Sequence, residues 1–218
     1  MNYKPIDYKT WNFDGTGKNI KPLLSDDEKK LWDAALEFQD SRKGEKGHAE
    51  TVTYFAINLI LHTGGKRQII VPSAILHDIG WSKLHPVERQ LFYIPQWERY
   101  ESILRQRHQE EGEKLAKEIL RTMPSFSRYS NDICEIISQH DTRKGFLSQE
   151  DMIMRSADVL WRFTPTIIKI GAEQRNWDEK EVRRRQVEWK KSLGNDVIRE
   201  IADIEAENSF AAYKNKLI

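Results

Sequence analysis

The feature that most constrains this chain is a histidine followed directly by an aspartate, His77-Asp78, at the end of an apolar run. A neutral imidazole nitrogen and a carboxylate oxygen are both good ligands for Zn, Mn or Fe. Because the two residues are adjacent, one short backbone segment can present both to a single ion. Two ligands do not make a site, so the other ligand-type residues decide what the pair means.

Three more histidines and one more aspartate stand in apolar segments with helical spacing. These residues are His48, His108, His140 and Asp158. The histidines recur at intervals of about 30 residues, which is the length of one helix plus a connection. Successive helices would then deliver one ligand each to a common interior. The pattern predicts a helical bundle around metal.

The order of these six residues resembles that of the HD superfamily of metal-dependent phosphohydrolases. The segments that carry the resemblance are Gly47-His48-Ala49-Glu50, Leu76-His77-Asp78-Ile79-Gly80, His108-Gln109-Glu110-Glu111-Gly112, Ile137-Ser138-Gln139-His140 and Ser156-Ala157-Asp158-Val159-Leu160. The resemblance extends over residues 48–158 and implies an all-α fold, a single HD-type helical bundle with the metal site in its core cleft.

The resemblance also implies a role for each ligand-type residue. The first metal would be held by His48, His77, Asp78 and Asp158. A second would be held by His108 and His140, with Asp78 bridging. The cofactor is then one or two divalent ions, and Mn, Fe, Zn, Mg and Ni all remain open. Two ions about 3.5–4 Å apart can clamp the attacking and leaving oxygens of a phosphoester, with a water of lowered pKa as nucleophile. Asp78 is the expected catalytic residue, since it could orient that water.

Basic and aromatic residues near the ligands in sequence are candidates for contacts with substrate. The candidate phosphate-binding residues are Lys83, Arg107, Arg143 and Lys144, because cations pair with phosphate oxygens through charge-assisted hydrogen bonds. Residues 81–99 directly follow the His-Asp pair and contain two prolines and several aromatics, which suits a lid or a substrate-binding wall. Trp81, Tyr93 and Trp97 in this segment could stack on a base.

The leading functional hypothesis is hydrolysis of a phosphate ester, either a nucleotide or another small phosphorylated metabolite. An HD-type di-iron oxygenase acting on a small polyol or phosphonate is an alternative, because the same ligands suit iron. A non-catalytic binding protein that holds metal is a third class. Guanosine-tetraphosphate hydrolases are disfavoured, since residues 79–82 lack their paired acids. Cyclic-dinucleotide enzymes are disfavoured because residues 141–145 lack their Gly-Tyr-Pro element.

Composition limits which cellular compartments and which classes of partner are expected for the chain. Its 218 residues are 39% hydrophobic and carry a formal net charge of +1, so no bulk attraction to nucleic acid or anionic lipid is expected. The single cysteine, Cys134, allows no intrachain disulfide, and no segment reads as a signal peptide or membrane span. The expectation is a cytoplasmic protein with a small-molecule phosphorylated substrate. Homo-oligomerisation stays open.

The chain divides into three parts in the sequence-based interpretation. Residues 1–24 form an irregular arm, residues 25–170 the HD helical domain and residues 171–218 a C-terminal helical extension packed on the same domain. Ser25 with Glu28 predicts a capping box that opens the first helix. Pro72 is expected to begin the helix that ends in the His-Asp pair, and one segment from Ser148 to about Ile170 is expected to carry Asp158.

Overall fold

The computed structural model describes residues 1–39, 41, 45–90 and 98–216. These residues form ten α-helices and no β-strand, which confirms the predicted all-α helical bundle. The helices are α1 Asp26–Ala35, α2 His48–Thr63, α3 Arg67–Leu76, α4 Pro86–Gln90, α5 Glu98–Arg121, α6 Ser130–Ile137, α7 Gln149–Trp161, α8 Pro165–Arg175, α9 Glu179–Lys190 and α10 Asp196–Lys214. Within the described ranges, no helix has both the length and the apolar character needed to cross a bilayer.

Side-chain caps define where several helices begin. The capping box predicted at α1 is present: the Ser25 hydroxyl accepts from the Glu28 N–H at 3.3 Å, and the Glu28 carboxylate accepts from the Ser25 N–H at 2.7 Å. Ser148 caps α7 by accepting from the Asp151 N–H. These caps satisfy N–H groups that have no partner inside the helix, so the local sequence fixes the helix starts.

Two prolines act differently from the prediction. Helix α3 begins at Arg67, so Pro72 lies inside the helix. An interior proline costs about 3 kcal/mol, and burial of every residue from 69 to 76 offsets that cost. The segment predicted to run from Ser148 to about Ile170 is two helices, because Pro165 begins α8 and Thr164 before it is extended, with φ −87° and ψ 162°, as a following proline favours.

The helices that carry the ligand-type residues are neighbours. Helix α2 packs against α3 and α7, α3 packs against α6, and α5 packs against the 3₁₀ turn Ile79–Lys83. Gly80 makes the last contact possible, since a Cβ at this position would overlap the carbonyl oxygen of His108 and the backbone of Gly112. The close approach of α5 therefore brings His108 to the His-Asp pair.

The arm and the C-terminal helices share one hydrophobic cluster with the bundle. Ile6 and Ile20 of the arm and Ile198 and Ala202 of α10 belong to it. Glu205 of α10 is buried and accepts hydrogen bonds from the arm. The irregular arm is thus packed along much of its length.

Candidate metal centre

Local structure places each ligand-type side chain at a defined point of the bundle. His48 is the first residue of α2 and follows Gly47, whose left-handed conformation (φ 79°) starts the helix. His77 caps the C-terminal end of α3. His108 lies in the middle of α5, and Asp158 lies in α7. The sequence pattern groups His140 with the helix before it, but α6 ends at Ile137 and His140 lies in the turn that follows.

One group of side chains converges around Asp78 Oδ2. His48 Nε2 lies 3.3 Å from this oxygen, 3.0 Å from His77 Nε2 and 3.3 Å from Asp158 Oδ1. His77 Nε2 lies 3.6 Å from Asp78 Oδ2 and 3.8 Å from Asp158 Oδ1. The four side chains face one another from helices α2 and α7 and from the two residues that follow α3.

A second group converges around the other oxygen of Asp78. Asp78 Oδ1 lies 3.4 Å from His108 Nε2 and 3.4 Å from His140 Nε2, and the two imidazole nitrogens are 3.4 Å apart. The carboxylate therefore presents one oxygen to each group. The structure brings all six predicted residues together, and their roles as ligands stay predictions.

The backbone orients three of the imidazole rings. His77 Nδ1 lies 2.8 Å from the Ala74 carbonyl oxygen, and His140 Nδ1 lies 2.8 Å from that of Ile137. His108 Nδ1 lies 3.1 Å from the Leu104 carbonyl oxygen. A neutral ring that donates from Nδ1 keeps its lone pair on Nε2, which here faces the cluster. Histidines that bind metal are commonly oriented in this way.

The charge balance of the cluster favours a cation. Burial disfavours the carboxylate form of Asp78, yet the surrounding histidines, His77 first, hold its pKa well below the usual range. Burial also opposes a charged His48, but Asp158 and Asp78 raise its pKa to about 10. In the same way, Asp78 and Asp141 raise the pKa of His140 to about 9 against the effect of burial. Without a metal, protons on the imidazoles balance the acids.

The donor set fits a divalent cation. Two subsets, one of His48, His77 and Asp78 and one of Asp78, His108 and His140, each place their ligand atoms within 4.8 Å of one another. Imidazole nitrogens and carboxylate oxygens are the donors that Zn, Mn and Fe share. The clustered side chains could therefore hold metal ions, and neither the number nor the identity of those ions follows from the geometry.

Asp141 also faces the cluster, although it is not among the residues predicted from the sequence. Its Oδ2 lies 3.6 Å from His108 Nε2 and 3.9 Å from His140 Nε2, while its Oδ1 pairs with Arg105 at 2.5 Å. The side chain of Gln109 accepts from the Asp141 N–H at 3.0 Å. The sequence did hold a signal, because His140-Asp141 repeats the adjacency of His77-Asp78.

Trp81 supports the ligands. Its indole N–H donates to Asp78 Oδ1 at 3.1 Å, and its ring stacks on His108 with 4.1 Å between centroids and 11° between planes. Trp81 is only 2% exposed. Its face is therefore occupied by the histidine, and its N–H holds the carboxylate in position.

The cluster lies in the wall of a cavity of about 390 Å³. Asp78, His140, Asp141 and Asp158 contribute to its lining, and so does Arg162, whose guanidinium lies 4.0 Å from Asp158 Oδ2. This volume is in the range of small-molecule sites, about 300–1,000 Å³. A ligand in the cavity would therefore contact both the cluster and a cationic side chain.

Two of the predicted phosphate-binding residues have other neighbours. Lys83 Nζ lies 5.1 Å above the ring of Phe38. Arg107 forms an ion pair with Glu88. Neither residue is among those that line the cavity in the described part of the chain.

The other two predicted phosphate-binding residues also lie off the cavity lining as described. Arg143 donates to the Glu135 carbonyl oxygen at 3.2 Å, and Lys144 is exposed. A position close in sequence to a ligand-type residue does not predict a place in the cavity lining here, because neighbouring side chains can point to different faces of the bundle. The candidate stacking residues Tyr93 and Trp97 lie outside the described residues.

Comparison with known proteins agrees with this geometry. The family model described as HD domain matches residues 46–162, which is more than half of the chain and includes every residue of the cluster. No curated protein and no solved structure is significantly similar to the chain. HD domains belong to a superfamily of metal-dependent hydrolases, and most members of the family are phosphohydrolases. The chain belongs to the HD domain family.

Proposed function

We propose that the chain hydrolyses a phosphate ester, either a nucleotide or another small phosphorylated metabolite, with two divalent ions held in the cluster. The observation that carries the proposal is the shared carboxylate of Asp78. Each of its oxygens faces a separate pair of imidazoles, 3.3–3.6 Å away on one side and 3.4 Å away on the other. A carboxylate between two such groups suits a site for two ions, the arrangement used for in-line displacement at phosphorus.

The chain's own residues supply the binding site for the ions and for the phosphate. One ion would be held by His48, His77, Asp78 and Asp158, and the second by Asp78, His108 and His140. Ions of this type polarise phosphoryl oxygens and lower the pKa of water from 15.7 to about 7. Asp78 accepts a hydrogen bond from the indole N–H of Trp81, and in this proposal it would also orient the attacking water.

Two arginines at the cavity have different roles in this proposal. Arg162 approaches Asp158 only to 4.0 Å, so its guanidinium can bind a phosphoryl oxygen through charge-assisted hydrogen bonds. Arg105 forms ion pairs with Asp141 at 2.5 Å and with Glu101 at 2.8 Å. It therefore holds Asp141 toward the second group of histidines. Burial around these groups strengthens their interaction with a developing charge.

The test is hydrolysis of a panel of phosphate monoesters by the protein loaded separately with Mn, Fe or Zn. We expect metal-dependent release of phosphate. Asp78→Asn should lower kcat/KM by about 1,000-fold or more, as for loss of a group that acts on the transition state. Glu205→Gln changes a buried carboxylate outside the centre and serves as the control, with kcat/KM expected within about twofold of wild type.

The alternatives give different results in the same assay. An iron-loaded protein that releases no phosphate but consumes dioxygen with a polyol or a phosphonate would identify a di-iron oxygenase. A protein that binds metal tightly and acts on neither class would be a binding protein. Either outcome would contradict the proposed hydrolysis.

A further inference from the structure

The N-terminal arm lies against the start of α2, the helix that carries the first ligand-type histidine. The contact is made by residues 11–20, called the arm loop below. A Cβ at Gly47 would lie 2.8 Å from the Phe13 carbonyl oxygen, so the arm backbone lies directly on the residue before the helix. Trp11 packs edge-on against Tyr54, with 4.7 Å between ring centroids. The arm loop therefore follows one face of α2 over its first two turns.

Glu50 joins the arm loop to the first turn of α2. Its side chain is fully buried. Oε1 of Glu50 accepts from the N–H of Asn19 at 3.1 Å and from the N–H of Ile20 at 3.3 Å. Because a buried carboxylate is costly unless it accepts hydrogen bonds, these two donors hold the loop and the helix together.

The arm loop is braced by its own side chains. The Asn19 carboxamide accepts from the Asn12 N–H and donates to the Thr10 carbonyl oxygen at 3.0 Å. Asp14 Oδ1 accepts from the Thr16 N–H at 3.0 Å and from the Asn12 side chain at 2.7 Å. The loop therefore presents its N–H groups to α2 in an arrangement that these hydrogen bonds maintain.

The imidazole of His48 depends on the position of α2 more than the other rings of the cluster depend on their helices. The Nδ1 atoms of His77, His108 and His140 each face a backbone carbonyl oxygen. His48 Nδ1 is buried and has no hydrogen-bond partner among the described residues. Its ring meets Trp161 at 87°, with 4.7 Å between centroids. The place of His48 Nε2 is therefore set by packing and by the start of α2, not by a hydrogen bond at Nδ1.

We propose that Glu50 is a positioning residue for the first metal site, because its contact with the arm loop fixes the helix turn that carries His48. His48 Nε2 lies 3.3 Å from an oxygen of Asp78 and 3.3 Å from one of Asp158, so a displaced helix start would open both contacts. The arm loop lies outside the matched family region, residues 46–162. The inference rests on the metal centre of the proposed function and adds the arm to it.

The test is stepwise titration of the wild type, Glu50→Ala and Glu205→Ala with Zn²⁺. We expect Glu50→Ala to lower the affinity for one ion by about 10-fold to 100-fold, as for groups that orient a ligand, and to leave the affinity for the other unaltered. Glu205 is the matched control, since it is fully buried and accepts from Tyr3, Ile6 and Tyr8 of the same arm. Its change should lower the thermal unfolding midpoint and spare both affinities.

A double-mutant cycle shows whether the effect of Glu50 passes through His48. In the His48→Ala background, Glu50→Ala should cause no further loss of Zn²⁺ affinity. In the His140→Ala background, which weakens the second group of ligands, the loss of about 10-fold to 100-fold should remain. The same loss in both backgrounds would mean a general structural role and would overturn the proposal.

Two milder substitutions keep the test decisive if Glu50→Ala does not fold. Glu50→Gln keeps a side-chain oxygen that can accept from the two loop N–H groups, so it should retain most of the affinity. Asn19→Ala removes the braces of the arm loop and leaves α2 unchanged. It should weaken binding of the same ion, and an unaltered affinity would contradict the role of the loop.

The outcomes distinguish this inference from the proposed function. Binding of two Zn²⁺ ions without hydrolysis of any phosphate ester would contradict the proposed function and leave the positioning role open to the same titrations, which decide it. Equal affinities in wild type and Glu50→Ala would overturn the positioning role and leave the hydrolase intact. If the wild type binds no Zn²⁺, the proposed function fails and nitrogen NMR of the histidine rings decides. His48 signals that shift in Glu50→Ala but not in Glu205→Ala would support positioning, and any other pattern would overturn it.

Discussion

The bundle buries carboxylates in two very different surroundings, at Glu205 of α10 and at Asp78 after α3. Glu205 Oε1 accepts from the Tyr3 hydroxyl at 2.6 Å and from the Ile6 N–H at 3.0 Å, and Oε2 accepts from the Tyr8 hydroxyl at 2.8 Å. All three donors are uncharged groups of the N-terminal arm. Glu205 is therefore satisfied by protein hydrogen bonds alone and fastens the arm to the bundle.

Asp78 faces a different kind of partner. Apart from the indole N–H of Trp81, its close neighbours are the Nε2 atoms of four histidines, three of which can donate from Nδ1 to the backbone instead. Burial raises the pKa of Glu205, whereas the histidines hold that of Asp78 low. The comparison teaches that burial alone does not mark a functional acid. A functional acid is indicated when several side chains direct their lone pairs at a common point beside it.

The largest effect should follow from removing an acid of the metal centre. We expect Asp158→Asn to lower metal affinity by more than about 100-fold, beyond the loss caused by changing a group outside the coordination sphere. Asp151→Asn in the same helix is the control. Asp151 is 1% exposed and accepts from the Leu147 N–H at 2.8 Å, so its change should lower stability and leave metal affinity intact. Isothermal titration calorimetry with Mn or Zn measures the metal affinity of both variants. Equal losses in the two variants would break the distinction between structural and functional acids.

The pH dependence of metal binding sharpens the same distinction. In the metal-free cluster the pKa is about 10 for His48 and about 9 for His140, so both imidazoles hold protons at neutral pH and a metal must displace them. The affinity should therefore rise with pH, by about tenfold per pH unit for each displaced proton, and level off above these pKa values. Titration in buffers of different ionisation enthalpy gives the proton count. Equal affinity at about pH 6 and about pH 8 would contradict the cation site.

Trp81→Phe tests the support of Asp78 with a smaller expected effect. Phenylalanine keeps a ring to stack on His108 but loses the N–H that donates to Asp78 Oδ1 at 3.1 Å. Loss of such a supporting group lowers metal affinity by about 10-fold to 100-fold. The same titration measures the change, and the thermal unfolding midpoint shows whether the fold persists. An unaltered affinity would mean that Trp81 only fills space.

The smallest effect should come from the structural acid, and it should spare the metal. Tyr8→Phe removes the hydroxyl that donates to Glu205 Oε2 at 2.8 Å. We expect the free energy of unfolding to fall by about 1–2 kcal/mol, the usual cost of leaving a buried acceptor without its donor. Urea denaturation measures this change. A loss of metal affinity in this variant would show that the two carboxylates are coupled.

Much of the fold was predictable because it depends on local signals. Helical periodicity, the capping box of Ser25 and Glu28 and the glycines around α2 act within a few residues. The order of the ligand-type residues then predicted the cluster. The prediction that Pro72 begins a helix was wrong, because the burial that offsets an interior proline depends on packing with distant helices. The prediction of one helix from Ser148 to about Ile170 was also wrong, because Pro165 begins a second helix, although that proline is itself a local signal.

The surroundings of the centre were harder to predict than the centre. The four basic residues proposed from proximity in sequence lie off the cavity lining as described, which instead includes Arg162 and, from the C-terminal helices, Arg185. Which helix covers the cavity depends on long-range packing that no local pattern records. Asp141 was overlooked although it directly follows His140, because a single carboxylate after a histidine carries little weight until the ring beside it is known to face the cluster.

The number of divalent ions bound per chain, in wild type and in Asp78→Ala, decides whether Asp78 is shared by two metal sites. Mass-spectrometric metal analysis after loading with Mn, Fe or Zn and removal of free ions gives this number. We predict two ions in wild type and loss of both in Asp78→Ala, because one carboxylate serves both groups of histidines. Wild-type protein that retains no metal, or an Asp78→Ala variant that retains as much as wild type, would contradict it.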